Sequence, residues 1–284
     1  MAKRKLNRSI LIVCEGTKTE HDYFEYIAEN ISKRKNLWDS VVVSDNNTIP
    51  NDIPISAPTV LGKRSKRYFV NPNKRRIGER NMLKELCKFL YGEKDGLEMY
   101  DSVKAVPLRY VAQAQLIEED RQMYEELWAV FDKDGHTHHK EAYEKAEELV
   151  NNKKVQIGFS SRSFEHWIIL HFEKNKNEFL RSECKDENDV PIVCNRNNGC
   201  KGADCLCGYI RTNTPLVNYK KSNDYENLSV MMDILLKPEN FTRAFENAKW
   251  LRDEIAKDPT QNSKRCYELN PYTDVDFLVK RLIE

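Results

Sequence analysis

The 284-residue sequence has no long hydrophobic run, no excess of charge of either sign, no internal repeat and no G-x4-G-K-[ST] loop. Each absence removes a class of protein. A membrane-spanning helix needs about 20 consecutive apolar residues and a secretory signal roughly 7 to 15. Behind Lys3, Arg4 and Lys5 the apolar run reaches only from Ile10 to Val13, so the expectation is a cytoplasmic protein that makes no use of a membrane. Lys+Arg 46 against Asp+Glu 45 leaves a formal net charge of +1, and no partner can be read from overall charge. The missing phosphate-binding loop means that the sequence carries no ATP site of that kind. Eight cysteines without a secretion signal read as reduced thiols or metal ligands rather than a disulfide framework.

What is present is a strand-helix rhythm. Ser9 to Cys14 (SILIVC) reads as a buried strand ending in Glu15-Gly16, and Thr17 to Ile31 as a capped amphipathic helix. Ser40 to Val43 is a second strand. The stretch from about 44 to 78 holds Pro50, Pro54, Pro58 and Pro72 and then a Lys/Arg-rich run containing Tyr68 and Phe69. It reads as an insertion, either a solvated loop or a surface for phosphate contacts and base stacking. Helical patterning follows at 79–91 and 112–126, then the strand Glu126 to Phe131 (ELWAVF), a helix at 140–151, the strand Val155 to Ser160 and a helix at 163–173. Strands alternating with helices predict an α/β fold with a mainly parallel, Rossmann-type sheet flanked by helices.

Three carboxylates stand out. Glu15 follows the first strand, while Asp132 and Asp134 follow the ELWAVF strand. Ligands of open α/β sheets sit beyond the carboxyl ends of the strands. Clustered carboxylates repel one another unless a cation joins them, and hard oxygen donors suit Mg2+ or Mn2+. In an extended D-K-D triplet Asp132 and Asp134 share a face and Lys133 points elsewhere. Acidic residues that merely cap helices are the plainer reading of either piece alone.

The combined order is more specific. A hydrophobic strand with Glu-Gly, about a hundred residues, and a second strand with Asp-x-Asp resembles the Toprim catalytic domain of topoisomerases, primases and overcoming-lysogenization-defect nucleases. The blocks LIVCEGTKTEHDYFEYI, WAVFDKDGH, SSRSFEHWIILHFE and NPYTDVDFLVKRL are similar to the RloB family, a Toprim-related group of bacterial phage-defence and abortive-infection loci. The resemblance implies that Glu15 acts as general acid/base or metal ligand, and that Asp132 and Asp134 bind Mg2+. Ser161, Phe164, Glu165, Trp167 and His171 match its recurring pattern. Glu165 becomes a further candidate ligand, Trp167 a core residue, and His171 either a packed, hydrogen-bonded histidine or a catalytic or phosphate-contacting one. A co-encoded AAA or ABC-type ATPase is implied as partner.

The remaining motifs are less directed. Cys184, Cys194, Cys200, Cys205 and Cys207 are spaced C-x9-C-x5-C-x4-C-x-C. They read as a structural zinc site, unligated thiols or a redox pair; for zinc the preferred set is Cys194, Cys200, Cys205 and Cys207, with Cys184 as substitute. His136, His138 and His139 follow the DKDG turn, His136 being best placed to act at the metal. Lys18 is placed to steady a phosphate at the first helix N-terminus, and Tyr219, Lys220 and Lys221 form a basic-aromatic cluster suited to a nucleic-acid backbone.

The expected organisation is therefore a Toprim-like catalytic domain over 1–180, a cysteine-rich insertion over 181–215 and a helical C-terminal part over 216–284. The expected function is metal-dependent cleavage of DNA or RNA, tRNA included, as the effector of a defence system, in a chain that can also form a homo-oligomer. Two rivals stand beside it: a non-catalytic subunit binding nucleic acid or the ATPase, and a metal-dependent enzyme acting on small phosphoesters.

Overall fold

A computed structural model describes residues 9–15, 19–32, 40–44, 106–121, 124–133, 138–185, 191–192, 204–221 and 225–284. The 44–78 insertion beyond Ser44, the helix expected at 79–91, Lys18, Asp134, His136, Cys194 and Cys200 lie outside the described residues.

Strands β1 (Ser9–Cys14), β2 (Ser40–Ser44), β3 (Glu126–Asp132), β4 (Val155–Ser161) and β7 (Tyr272–Thr273) form one sheet in the order β2-β1-β3-β4-β7. It is mostly parallel: β1 pairs in parallel with β2, from Ser9 opposite Ser40 to Val13 opposite Ser44, while β7 closes the edge antiparallel to β4. Helices α1 (Thr19–Ile27), α2 (Val106–Arg121), α3 (His139–Ala146) and α4 (Glu165–Leu170) intervene between strands or follow them. A two-stranded hairpin, β5 (Cys184–Lys185) with β6 (Pro191–Ile192), precedes α5 (Leu206–Asn213). The C-terminal part is helical, with α6 (Tyr225–Leu235), α7 (Pro238–Lys257) and α8 (Val275–Ile283). Among the described residues, no helix is long and apolar enough to cross a membrane.

The chain divides into two compact units, one of residues 1–17, 38–129 and 136–157, the other of 18–37, 130–135 and 158–284. In the first, every residue of β1 is buried, the signature of a strand covered on both faces. Tyr110, Val111, Ala114 and Ile117 of α2 are buried at helical spacing, as are Ala142 and Ala146 of α3. Gln115 donates to the carbonyl of Lys145 at 2.9 Å. The fully buried Glu118 accepts the Tyr124 backbone N–H at 3.0 Å and pairs with Lys153.

In the second unit α1 buries Thr19, Glu20, Tyr23, Phe24 and Ile27, one face of a 3.6-residue period. Tyr23 meets Phe164 edge-on at 5.2 Å, and Trp167 donates its indole N–H to the Tyr23 hydroxyl at 3.0 Å. Trp167 also faces Phe245 of α7 at 5.9 Å, and Asn247 of α7 donates to the carbonyl of Leu170 at 2.8 Å. Pro238 starts α7, where its missing N–H costs no hydrogen bond. The core placement expected of Trp167 holds: its side chain is wholly buried.

Candidate functional site

The two strand ends singled out above are both present. Glu15 follows β1, half-buried, with its backbone carbonyl accepting the Tyr110 hydroxyl at 3.3 Å. Asp132 is the last residue of β3 and is 3% exposed. The next residue turns away from it, as strand alternation requires. Lys133 donates its backbone N–H to the Ser160 carbonyl at 2.9 Å and its ammonium to the Leu269 carbonyl at 3.0 Å. Burial, seconded by the charge of Arg162, holds the Lys133 ammonium below its ordinary pKa.

Glu165 opens α4 and has no accessible surface. Ser163 donates to its Oε2 at 2.5 Å and Tyr219 to its Oε1 at 2.8 Å, while the Lys221 ammonium lies 3.6 Å from Oε2. Burial alone would favour the neutral acid, yet Lys221, the Ser163 hydroxyl and the Tyr219 hydroxyl together hold its pKa below the ordinary value. The result is a buried, ionised carboxylate whose two oxygens are divided among three partners. Such a group anchors the 219–221 segment to the start of α4 and has little left to offer a metal. The Tyr219 phenol is held well above its ordinary pKa by burial and then by the Glu165 charge. Cys207 is raised in the same way.

This arrangement separates the basic-aromatic cluster into different roles. Tyr219 is 6% exposed and points inward to Glu165 with Lys221, whereas Lys220 is exposed. Ser163 and Tyr219 were not singled out as partners of Glu165. The only sequence signal for Ser163 is its position two residues ahead in the same block; for Tyr219 there is none, since 54 residues intervene.

His171 belongs to the core. Its ring is wholly buried, with Nδ1 3.0 Å from the Trp167 carbonyl and aromatic neighbours in Tyr23, Trp167, Phe172 and Phe241. Nδ1 must carry the proton to serve that carbonyl. Burial lowers its pKa to about 4, so the ring is neutral at physiological pH and packed among aromatic neighbours. Of the two readings of His171, this geometry favours the packed, hydrogen-bonded one. His166, also wholly buried and 6.1 Å from the Phe179 ring, is lowered to about 4 by burial as well.

Of the histidines after the DKDG turn, His139 is buried in the first turn of α3 and His138 is exposed in a left-handed conformation, φ 64°. Of the cysteines, Cys184 and Cys205 are adjacent, their sulfurs 3.5 Å apart. Cys207 has different surroundings, under the charges of Glu165 and Lys221. The preference for Cys207 over Cys184 in a zinc set therefore finds no support in the geometry. Among the described residues, the donor atoms of His21, Asp22 and Glu25 on α1 lie within 4.8 Å of one another. That trio is partly exposed and was not anticipated, although its i and i+4 members share a helix face.

A family model described as RloB-like protein matches residues 10–282, which takes in both compact units. No curated protein matches the chain, and no solved structure does.

Proposed function

The chain belongs to the RloB-like protein family, and from that premise we propose that it is a metal-dependent nuclease that hydrolyses phosphodiester bonds as the effector of a bacterial defence system. The observation that carries the reading is Asp132, a carboxylate almost wholly withdrawn from water at the carboxyl end of β3. That is the edge at which α/β sheets bind their ligands. In the strand order β3 stands next to β1, the strand that Glu15 follows. An all-carboxylate donor set fits a hard divalent cation such as Mg2+ or Mn2+. In this reading Asp132 and Asp134 hold Mg2+ or Mn2+, and Glu15 accepts the proton of the attacking water or adds a further oxygen ligand. When bound, the cation supplies Lewis acidity at the phosphate and eases deprotonation of water. Water adds to phosphorus and the sugar oxygen leaves.

Lys220, exposed, is available for a phosphate contact, while Lys221 is committed to Glu165. Glu165 serves as a positioning residue for that segment rather than as a ligand. The partner in this reading is an ATPase encoded beside the gene, which restrains or triggers cutting.

The test is incubation of purified protein, alone and with that ATPase, with plasmid DNA and total tRNA in Mg2+, Mn2+ or EDTA. Cleavage should require metal, and Glu15→Ala and Asp132→Ala should each lower it by roughly a hundredfold or more. The polymer that is cut names the substrate. Absence of cutting, or equal cutting by the variants, would overturn the reading and favour a non-catalytic nucleic-acid- or ATPase-binding subunit.

A further inference from the structure

Cys184 and Cys205 belong to a stretch with little core of its own, yet both thiols are buried, at 4% and 0% exposure. Backbone pairing brings them together. Arg181 bridges to Cys205, the Leu206 N–H donates to the Arg181 carbonyl at 3.2 Å, and the Cys207 N–H to the Ser182 carbonyl at 3.0 Å. The 181–184 segment thus runs alongside the entry to α5. Cys184 then enters the β5–β6 hairpin, and Cys205 caps α5, its sulfur accepting the Gly208 N–H at 3.2 Å.

The sulfurs are 3.5 Å apart, with the Cys184 thiol placed to donate to Cys205 Sγ, and that separation bears on the chemistries open to the pair. A disulfide bond is about 2.05 Å long. Two thiolates on one tetrahedral zinc, each about 2.3 Å from the metal, stand about 3.8 Å apart. The observed contact is far too long for the first and needs to open by only a few tenths of an ångström to reach the second. An amide N–H directed at a cysteine sulfur favours the thiolate, the form that binds metal. Cys207 stands apart from the pair: among the described residues no three donor atoms that include these cysteines lie within 4.8 Å of one another, and at Cys207 the charge of Glu165 opposes a second negative charge.

We propose that Cys184 and Cys205 are two ligands of a structural site for a thiophilic divalent cation of the zinc class, and that Cys207 is not part of it. Each thiol releases its proton on binding. The site ties the β5–β6 hairpin to the first turn of α5, giving a short polar stretch the cohesion that apolar burial does not provide. Cys194 and Cys200 lie between the pair in the sequence but outside the described residues, and the inference rests on the pair alone. It is independent of the proposed nuclease chemistry, and nuclease activity is not its readout.

Metal content of the full chain, purified under reducing conditions without added metal, is measured by elemental mass spectrometry. About one zinc per chain is expected, retained in Cys207→Ser and lost in Cys184→Ser and in Cys205→Ser. Should the latter variants fail to fold, wild-type protein stripped by a chelator and titrated with Co2+ answers the same question. A sulfur-to-cobalt charge-transfer band that Zn2+ then abolishes supports the site. Folded wild-type protein with neither zinc nor such a band overturns it, as does loss of metal from Cys207→Ser with retention in Cys184→Ser.

Discussion

Glu165 pays for its burial with partners: a hydroxyl from Ser163, a phenol from Tyr219 and the ammonium of Lys221, each 3.6 Å or less from a carboxylate oxygen. Hydrogen bonds to a charged group are worth about 1.5 to 3 kcal/mol. Tyr219→Phe should therefore lower unfolding free energy by about that amount in urea titration, with no change in any metal bound elsewhere. Glu165→Gln should cost more, about 3 kcal/mol, because it leaves an ammonium facing an amide. That figure takes the low end of the range for a broken buried pair, since a quarter of the Lys221 side chain (24%) reaches solvent. A Glu165→Gln variant as stable as wild type would remove the anchoring role. The sequence block SSRSFEHWIILHFE pointed to Glu165, but not to what it does. Residue type and local spacing show that a carboxylate opens a helix; they do not show that a tyrosine 54 residues later will take one of its oxygens. Lys220 and Lys221 look equivalent in sequence and differ in structure for the same reason.

At the scale of elements, the strands were the most legible features. SILIVC, ELWAVF and VQIGFS are short apolar runs with few alternative states, and β1, β3 and β4 coincide with them to within a residue. Helix ends were less so. The helix expected at 112–126 is α2, Val106–Arg121, displaced toward Pro107, a residue suited to a first turn. The helix expected at 163–173 is only Glu165–Leu170. Strand β7 went unseen because two residues carry no periodicity. Its neighbourhood is held instead by a long-range contact. Arg252 of α7 forks onto Asp276 of α8, with both N···O distances 2.7 Å, and donates to the Thr273 carbonyl of β7 at 2.8 Å. Its guanidinium also lies 4.5 Å from the centre of the Phe277 ring. Lysine cannot reproduce a planar fork, so Arg252→Lys should lose about 1.5 to 3 kcal/mol. Arg252→Ala, which strands Asp276 at 7% side-chain exposure, should lose about 3 to 5 kcal/mol. Thermal unfolding of the two variants checks the order; equal loss would mean that charge alone, and not the fork, joins these elements.

For the whole molecule, the buried titratable groups set how stability responds to acid. His166 and His171 are held to about 4 by burial, against 6.5 for an unfolded histidine. Between those values the unfolded chain binds a proton at each histidine that the folded chain refuses. Their contribution is complete above pH 6.5 and is lost as pH falls toward 4. Asp274 works in the opposite sense. Burial, aided by the charge of Asp276, raises it from 3.8 to about 7, so the folded chain takes up a proton there that the unfolded chain does not. Two protons against one leave a net excess of one in the unfolded state across the window. These three groups should therefore make stability fall on acidification with a slope approaching about 1.4 kcal/mol per pH unit in the middle of that window, and the lowered pKa of Glu165 should steepen the fall at its acid end. Urea midpoints measured at several pH values test this. Asp274→Asn separates the terms: removing the opposing carboxyl should steepen the slope toward twice that value, while His171→Phe, which keeps a ring in the aromatic enclosure, should flatten it. A slope unchanged in His171→Phe would mean that His171 does not titrate with unfolding, and its neutral, packed state would lose its support.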